Sequence, residues 1–206
     1  YRMATIIAGP FIGLYLGRRR AAGKEDPMRF PERLGHAGIE RPAGSLIWVH
    51  AASVGESLSA LPLVARLLER HPDVHVLVTT GTVTSARLMA ERLPDRAIHQ
   101  YVPVDRPAAV ARFLNHWRPD LALWTESEFW PNLVADSQAR GIPMVLVNGR
   151  MSDRSFRRWG RFGGLIHRLL AGFALCLAQS ERDAERLRVL GANDVRAIGN
   201  LKSAAP

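Results

Sequence analysis

Three stretches of the sequence concentrate side chains that could do chemistry. In "WVHAASVGESLSALP", residues 48–62, an apolar run gives way to small residues, a glycine and one carboxylate, Glu56. Proline is comfortable in the first turn of a helix, so Pro62 predicts a helix starting at about residues 57–61, with Ser57 or Ser59 as its cap. Glu56 then lies at the helix mouth, where the dipole favours the ionised carboxylate, the form a general base requires. Simple complementation of the dipole is the competing role, and the residues alone leave both open. In "TESEFWPN", residues 125–132, Glu126 and Glu128 stand beside Phe129 and Trp130, with Pro131 placed to begin a helix. Two acids next to two large aromatics make either a pocket wall or a pair of helix-start charges. In "GRMSDRSFRRWGRFGGLIHRLL", Arg150, Arg154, Arg157, Arg158, Arg161 and Arg168 face one acid, Asp153, while Phe156, Trp159, Phe162, Leu165, Ile166 and Leu169 recur at helical spacing. A basic amphipathic helix of this kind suits an anionic membrane or phosphate groups. A core helix with solvated arginines has the same pattern, and Gly160, Gly163 and Gly164 weaken the helix.

The elements that must position these residues alternate. Runs rich in Val, Ile and Leu ("LIWVHAA", "VHVLVTT", "AIHQYVPV", "LALWTE", "PMVLVNG", "ALCLAQS", "VRAIG") are separated by segments of helical period. Leu61, Val64, Leu67 and Leu68 share one helix face; Val110, Phe113, Leu114 and Trp117 share another. Strand alternating with helix predicts an α/β fold, a Rossmann-like parallel sheet flanked by helices. Ligands in such sheets collect at the carboxyl ends of the strands. That rule selects the loops holding Ser53, Gly55 and Glu56 after the first strand, Thr80 after the second, Glu126 and Glu128 after the fourth, and Arg150 after the fifth.

Composition narrows the partners. The chain has 206 residues and a formal charge of +9, and its only lysines are Lys24 and Lys202. Such a balance suits an anionic partner. No zinc-finger spacing, RNP-like aromatic motif or KH-type loop supports nucleic acid, and neither GxGxxG nor GxxxxGK[ST] is present. One cysteine, Cys176, sits in an apolar run as a buried strand residue, and the seven histidines are scattered, so no metal is expected. The opening run "MATIIAGPFIGLYLG" is apolar and is followed by "RRR". Residues 1–20 therefore read as a membrane anchor or membrane-lying segment with a cytoplasmic body. A signal peptide carries its charge on the other side of the apolar run, and a buried helix is the remaining alternative. Residues 21–44, rich in Pro, Gly and charge, read as a connector, and 45–203 as the Rossmann-like domain. With Tyr1 first and "GNLKSAAP" last, the chain reads as a piece incomplete at both ends.

Taken together and in order, "HAASVGES", "TTGTVTSA", "TESEFWPN", "NGRMSDRS", "AQSERDAERLRVLGA" and "GNLKS" resemble the N-terminal domain of bacterial 3-deoxy-D-manno-octulosonic acid (Kdo) transferases over about residues 28–203. The resemblance implies the N-terminal, acceptor-binding half of a GT-B glycosyltransferase that moves Kdo from CMP-Kdo to the lipid A precursor with inversion. It implies Glu56 as general base, with Glu126 and Lys202 supporting the transition state. Ser53, Gly55, Thr80, Glu128, Arg150, Arg154 and Arg157 become expected substrate contacts. The phosphorylated glycolipid acceptor accounts for the basic charge, and the enzyme is expected at the cytoplasmic face of the bacterial inner membrane. The reaction needs no cofactor beyond its donor, CMP-Kdo. That donor would be held mainly by a C-terminal domain beyond Pro206, so the chain alone is expected to be inactive. The alternative is a non-catalytic basic α/β domain binding a nucleotide or nucleic acid. The two differ in geometry: a transferase half brings Glu56 and Glu126 to one cleft rimmed by arginines, whereas a binding domain leaves them scattered or paired locally.

Overall fold

The computed structural model describes residues 1–201. Seven strands form one sheet: β1 (Ser45–His50), β2 (Val74–Thr80), β3 (Ala97–Tyr101), β4 (Leu121–Thr125), β5 (Met144–Gly149), β6 (Leu175–Ala178) and β7 (Val195–Ala197). Their spatial order is β3-β2-β1-β4-β5-β6-β7, and every pairing is parallel. Parallel neighbours require crossovers, which the helical segments supply. The helices are α1 (Arg2–Ile7), α2 (Gly9–Ala21), α3 (Phe30–Arg33), α4 (Val54–Arg70), α5 (Val83–Arg92), α6 (Pro107–Trp117), α7 (Pro131–Ala139), α8 (Asp153–Gly160), α9 (Gly163–Ala171) and α10 (Glu181–Val189).

Strand side chains alternate between the faces, which separates two cores. Leu46 and Trp48 of β1 join Phe113, Leu114 and Trp117 of α6, Leu133 of α7 and Leu169 of α9. Val49 of the same strand joins Ala60, Val64 and Leu68 of α4 and Met89 of α5 on the opposite face. The chain thus runs outward from β1 through β2 to β3, then returns to the other side of β1 as β4. The connections leaving β1 and β4 pass to opposite faces and part company. A crevice opens at that switch point, at the carboxyl ends of the strands.

Residues 1–44 form short helices and a partly buried loop at the edge of the sheet. Among the described residues no helix is long and apolar enough to cross a membrane. The apolar opening is instead two helices broken at Ala8. Leu16 is buried with Val104 and Ala109, whereas Met3, Ile7, Phe11, Leu14 and Tyr15 are exposed. Within 21–44, Glu25, Glu32 and Arg33 are buried. Glu32 accepts the Tyr101 N–H at 2.8 Å, which satisfies an otherwise open edge of β3. Glu25 pairs with Arg19 at 2.5 Å and with Arg33 at 3.3 Å, tying this segment back to α2. Gly35, at φ +87°, presses so closely on the Ala109 carbonyl that a Cβ would lie 2.0 Å from its oxygen. Residues 21–44 are therefore docked on the sheet edge, because their charges find buried partners there.

Candidate active site

The first loop differs from its expected form. Helix α4 begins at Val54, with Ser53 in extended conformation as its cap, and Pro62 lies inside the helix. A reciprocal capping box fixes this start: Glu56 N–H donates to Ser53 Oγ at 3.3 Å, and Ser53 Oγ donates to Glu56 Oε1 at 2.8 Å. The missing N–H of Pro62 removes the helical hydrogen bond to the carbonyl of Leu58, a residue on the exposed side of the helix. Glu56 is therefore in the first helical turn, not ahead of the helix. Its Oε2 accepts the Ala52 N–H at 2.8 Å, with Thr125 Oγ1 at 3.5 Å. The side chain is buried, and desolvation raises its pKa above the ordinary carboxylate value; the Ser53 and Ala52 hydrogen bonds oppose the rise and Glu126 adds to it.

The fourth-strand loop reaches the same place from the other side of the crevice. Thr125 ends β4, its Oγ1 donating to the His50 carbonyl at 2.7 Å. Glu126 then takes a left-handed conformation, φ 54°, while its N–H donates to the Val147 carbonyl at 2.9 Å. A left-handed turn in a non-glycine residue at a strand end is the kind of local strain that clusters at functional sites. Two residues on, the Glu128 carbonyl accepts Trp124 Nε1–H at 3.0 Å. The Glu128 carboxyl is raised by burial first and then by Glu56, with Arg158 pulling it back and Glu126 pushing it up. Helix α7 starts at Pro131 as expected, and Asp105 from the loop after β3 accepts the N–H groups of Asn132 at 3.1 Å and Leu133 at 2.8 Å. Asp105, in the loop "PVDRP", thus caps a helix at a distance.

Glu56, Glu126 and Glu128 line one cleft of about 470 Å³ together with Ser127, Arg150, Ser152, Ser155 and Arg158. Ser127 Oγ is buried and without a hydrogen-bond partner. The basic segment is two helices, α8 and α9, separated at Arg161 and Phe162, because consecutive glycines at 163 and 164 restart the chain. Ser152, the cap of α8, and Ser155 and Arg158 on the helix recur every three residues and line the cleft together. Phe156 and Trp159 turn toward the core instead. This period was readable beforehand and would have favoured Arg158 over its neighbour.

The other expected contacts lie elsewhere. Arg154 and Arg157 are exposed on α8 and do not line the cleft; Arg157 is turned away from Arg158 by helical phase, and Arg154 lies one turn before it. Thr80 is fully buried, with its Oγ1 2.9 Å from His99 Nε2. Ser53 caps α4, and the Gly55 carbonyl accepts Ser59 Oγ–H at 2.7 Å. Lys202 lies outside the described residues. No cluster of three or more His, Cys, Asp or Glu suited to a metal occurs among the described residues.

The fold has counterparts among solved structures. A UDP-N-acetylglucosamine 2-epimerase superposes with a TM-score of 0.54 at 14% identity, covering 76% of this chain and 48% of that one. The Neisseria meningitidis UDP-GlcNAc 2-epimerase bound to UDP-GlcNAc gives a TM-score of 0.52 at 15% identity, covering 76% and 46%. At that identity the likeness is one of fold: a Rossmann-like α/β domain with GT-B-like neighbours, its carboxylate cleft at the switch point. Residues 28–205 match the family described as 3-Deoxy-D-manno-octulosonic-acid transferase (kdotransferase), and the chain belongs to that family. Its relatives include the 3-deoxy-D-manno-octulosonic acid transferases of Bordetella pertussis, 41% identical over 98% of this chain and 49% of that protein, and of Rickettsia bellii, 37% identical over 99% and 49%. The probable mitochondrial enzyme of Arabidopsis thaliana is 40% identical over 93% of this chain and 43% of its own length. The chain spans less than half the length of these relatives.

Proposed function

We propose that this chain is the acceptor-side half of a glycosyltransferase that moves Kdo from CMP-Kdo to the lipid A precursor. The observation that carries the reading is the convergence of Glu56 with Glu126 and Glu128 in one cleft rimmed by Arg150 and Arg158.

Glu56 is the general base. Burial raises its pKa toward working pH, and its hydrogen bonds hold the carboxylate in a fixed orientation, as proton abstraction requires. It takes the proton of an acceptor hydroxyl as that oxygen attacks the anomeric carbon of Kdo; the C–O bond to CMP breaks with inversion. CMP leaves with the bonding pair, so the step needs no cofactor. Glu126 supports positive character at the anomeric carbon, and Lys202 stabilises the charge of the departing phosphate. Arg150 and Arg158 contact the acceptor's phosphate, and the unsatisfied Ser127 hydroxyl is available to a sugar oxygen. CMP-Kdo is held mainly by a further domain of the full protein.

The enzyme works on the cytoplasmic face of the bacterial inner membrane. The exposed apolar residues of α1 and α2, followed by Arg18, Arg19 and Arg20, suit a segment lying on an anionic surface. Co-sedimentation with phosphatidylglycerol vesicles should weaken when Ile7 and Phe11 become Ser; unchanged binding would remove the segment from this role. For the reaction itself, the full-length gene product is incubated with CMP-Kdo and lipid A precursor, with Glu56→Gln alongside. Transfer by the native protein and its loss in the variant support the proposal, while full transfer by the variant overturns the role of Glu56.

A further inference from the structure

The structure assigns Asn148 as a positioning residue that ties the segment following β7 to the carboxylate cleft. Strand β7 is the edge of the sheet, two strands from β5, or roughly 10 Å at ordinary strand spacing. The chain nevertheless comes back. Ile198 N–H donates to the Ala178 carbonyl at 3.0 Å, Gly199 turns the chain at φ +88°, and Leu201 N–H donates to Asn148 Oδ1 at 2.9 Å. The Leu201 side chain packs on the face of the sheet that carries Leu123 and Val147.

Asn148 is built for this task. It is 2% exposed and holds the left-handed conformation at φ 57°, which asparagine tolerates better than most residues. Its own carbonyl accepts Gln179 Nε2–H at 3.1 Å, and Gln179 N–H donates to the Gly149 carbonyl at 2.9 Å, so the turn is braced from β6. Its position matters because the preceding residue, Val147, receives the Glu126 N–H, and Arg150, two residues on, lines the cleft. A tether at Asn148 therefore holds the return segment at the carboxyl end of β5, between the residue that receives the Glu126 N–H and the arginine that lines the cleft. The consequence for catalysis rests on the transfer reaction proposed above; the tether itself does not.

Two substitutions test it in the full-length gene product. Asn148→Gly keeps the left-handed backbone and removes the acceptor; Asn148→Asp keeps both. Hydrogen exchange at the Leu201 amide should accelerate at least tenfold in the glycine variant and stay near native in the aspartate variant, with thermal unfolding little changed. Equal exchange in native and Asn148→Gly proteins would overturn the tether, whatever activity is found. In the transfer assay, Asn148→Gly should lower kcat about tenfold or more with KM for the acceptor within twofold. A glycine variant with fast Leu201 exchange and native kcat would overturn the positioning role. A native protein with no Kdo transfer would sink the proposed reaction, leaving the exchange result to decide the tether.

Discussion

Ser53 and Glu56 satisfy each other at the start of α4: the Glu56 N–H reaches Ser53 Oγ, and the Ser53 hydroxyl reaches Glu56 Oε1. The same carboxylate faces the cleft that Glu126 and Glu128 enter from β4. One residue thus carries a structural load and a proposed chemical one, and substitutions can separate them. Glutamine serves a capping box nearly as well as glutamate, whereas alanine does not. Glu56→Gln should unfold in urea within about 0.5 kcal/mol of native, and Glu56→Ala should lose about 1 kcal/mol more. Both should lower kcat for Kdo transfer by about 10²–10⁴. If the loss of rate instead followed the loss of stability, Glu56 would be a cap alone.

Arg158 is exposed on α8, its guanidinium 5.9 Å over the Trp159 ring, and it faces Glu128 across the cleft. A hydrogen bond to a charged group contributes about 1.5–3 kcal/mol. Arg158→Gln should therefore raise KM for the phosphorylated acceptor by about tenfold or more while thermal stability stays native. Arg157→Gln, one position round the helix, should leave KM within twofold.

Glu128 supplies a pH signature. Its folded pKa lies above the ordinary 4.5 because burial and Glu56 disfavour its charge. The folded state then binds more protons than the unfolded chain, so stability falls as pH climbs from about 4.5 through the raised value. Glu128→Gln removes this loss. Melting curves should show the variant gaining on native protein as pH rises from 4 to 7; a gap that does not change with pH would contradict the shift.

His50 acts in the opposite sense. It is fully buried, its ring tilted against Trp124 with centroids 4.3 Å apart, and desolvation pushes its pKa down to about 3. Below pH 6.5 the unfolded chain takes up a proton that the folded protein refuses, so stability is lost as pH falls from 6.5 toward 3. His50→Gln should be less stable than native at pH 7. That difference should narrow steadily between pH 6.5 and 4 in chemical denaturation.

Local pattern made much of this protein legible in its sequence. The seven apolar runs became seven strands, the face of Val110, Phe113, Leu114 and Trp117 became a buried helix face, and the ordered loop motifs pointed to the Kdo transferase family, because side-chain period and turn chemistry are short-range properties. Tertiary structure decided the rest. The strand order placed the loops after β1 and β4 at one switch point, which brings Glu56 to residues some 70 positions later in the chain. Helical phase on α8 selected Arg158 over Arg157, and burial of Glu25, Glu32 and Arg33 docked the charged stretch 21–44 on the sheet edge. The capping box carried α4 to Val54 despite Pro62, since one missing hydrogen bond weighs less than a satisfied helix start and a packed face. Asn148 and Leu201, 53 residues apart, have no shared pattern to read; only the return of the chain across the sheet makes them partners.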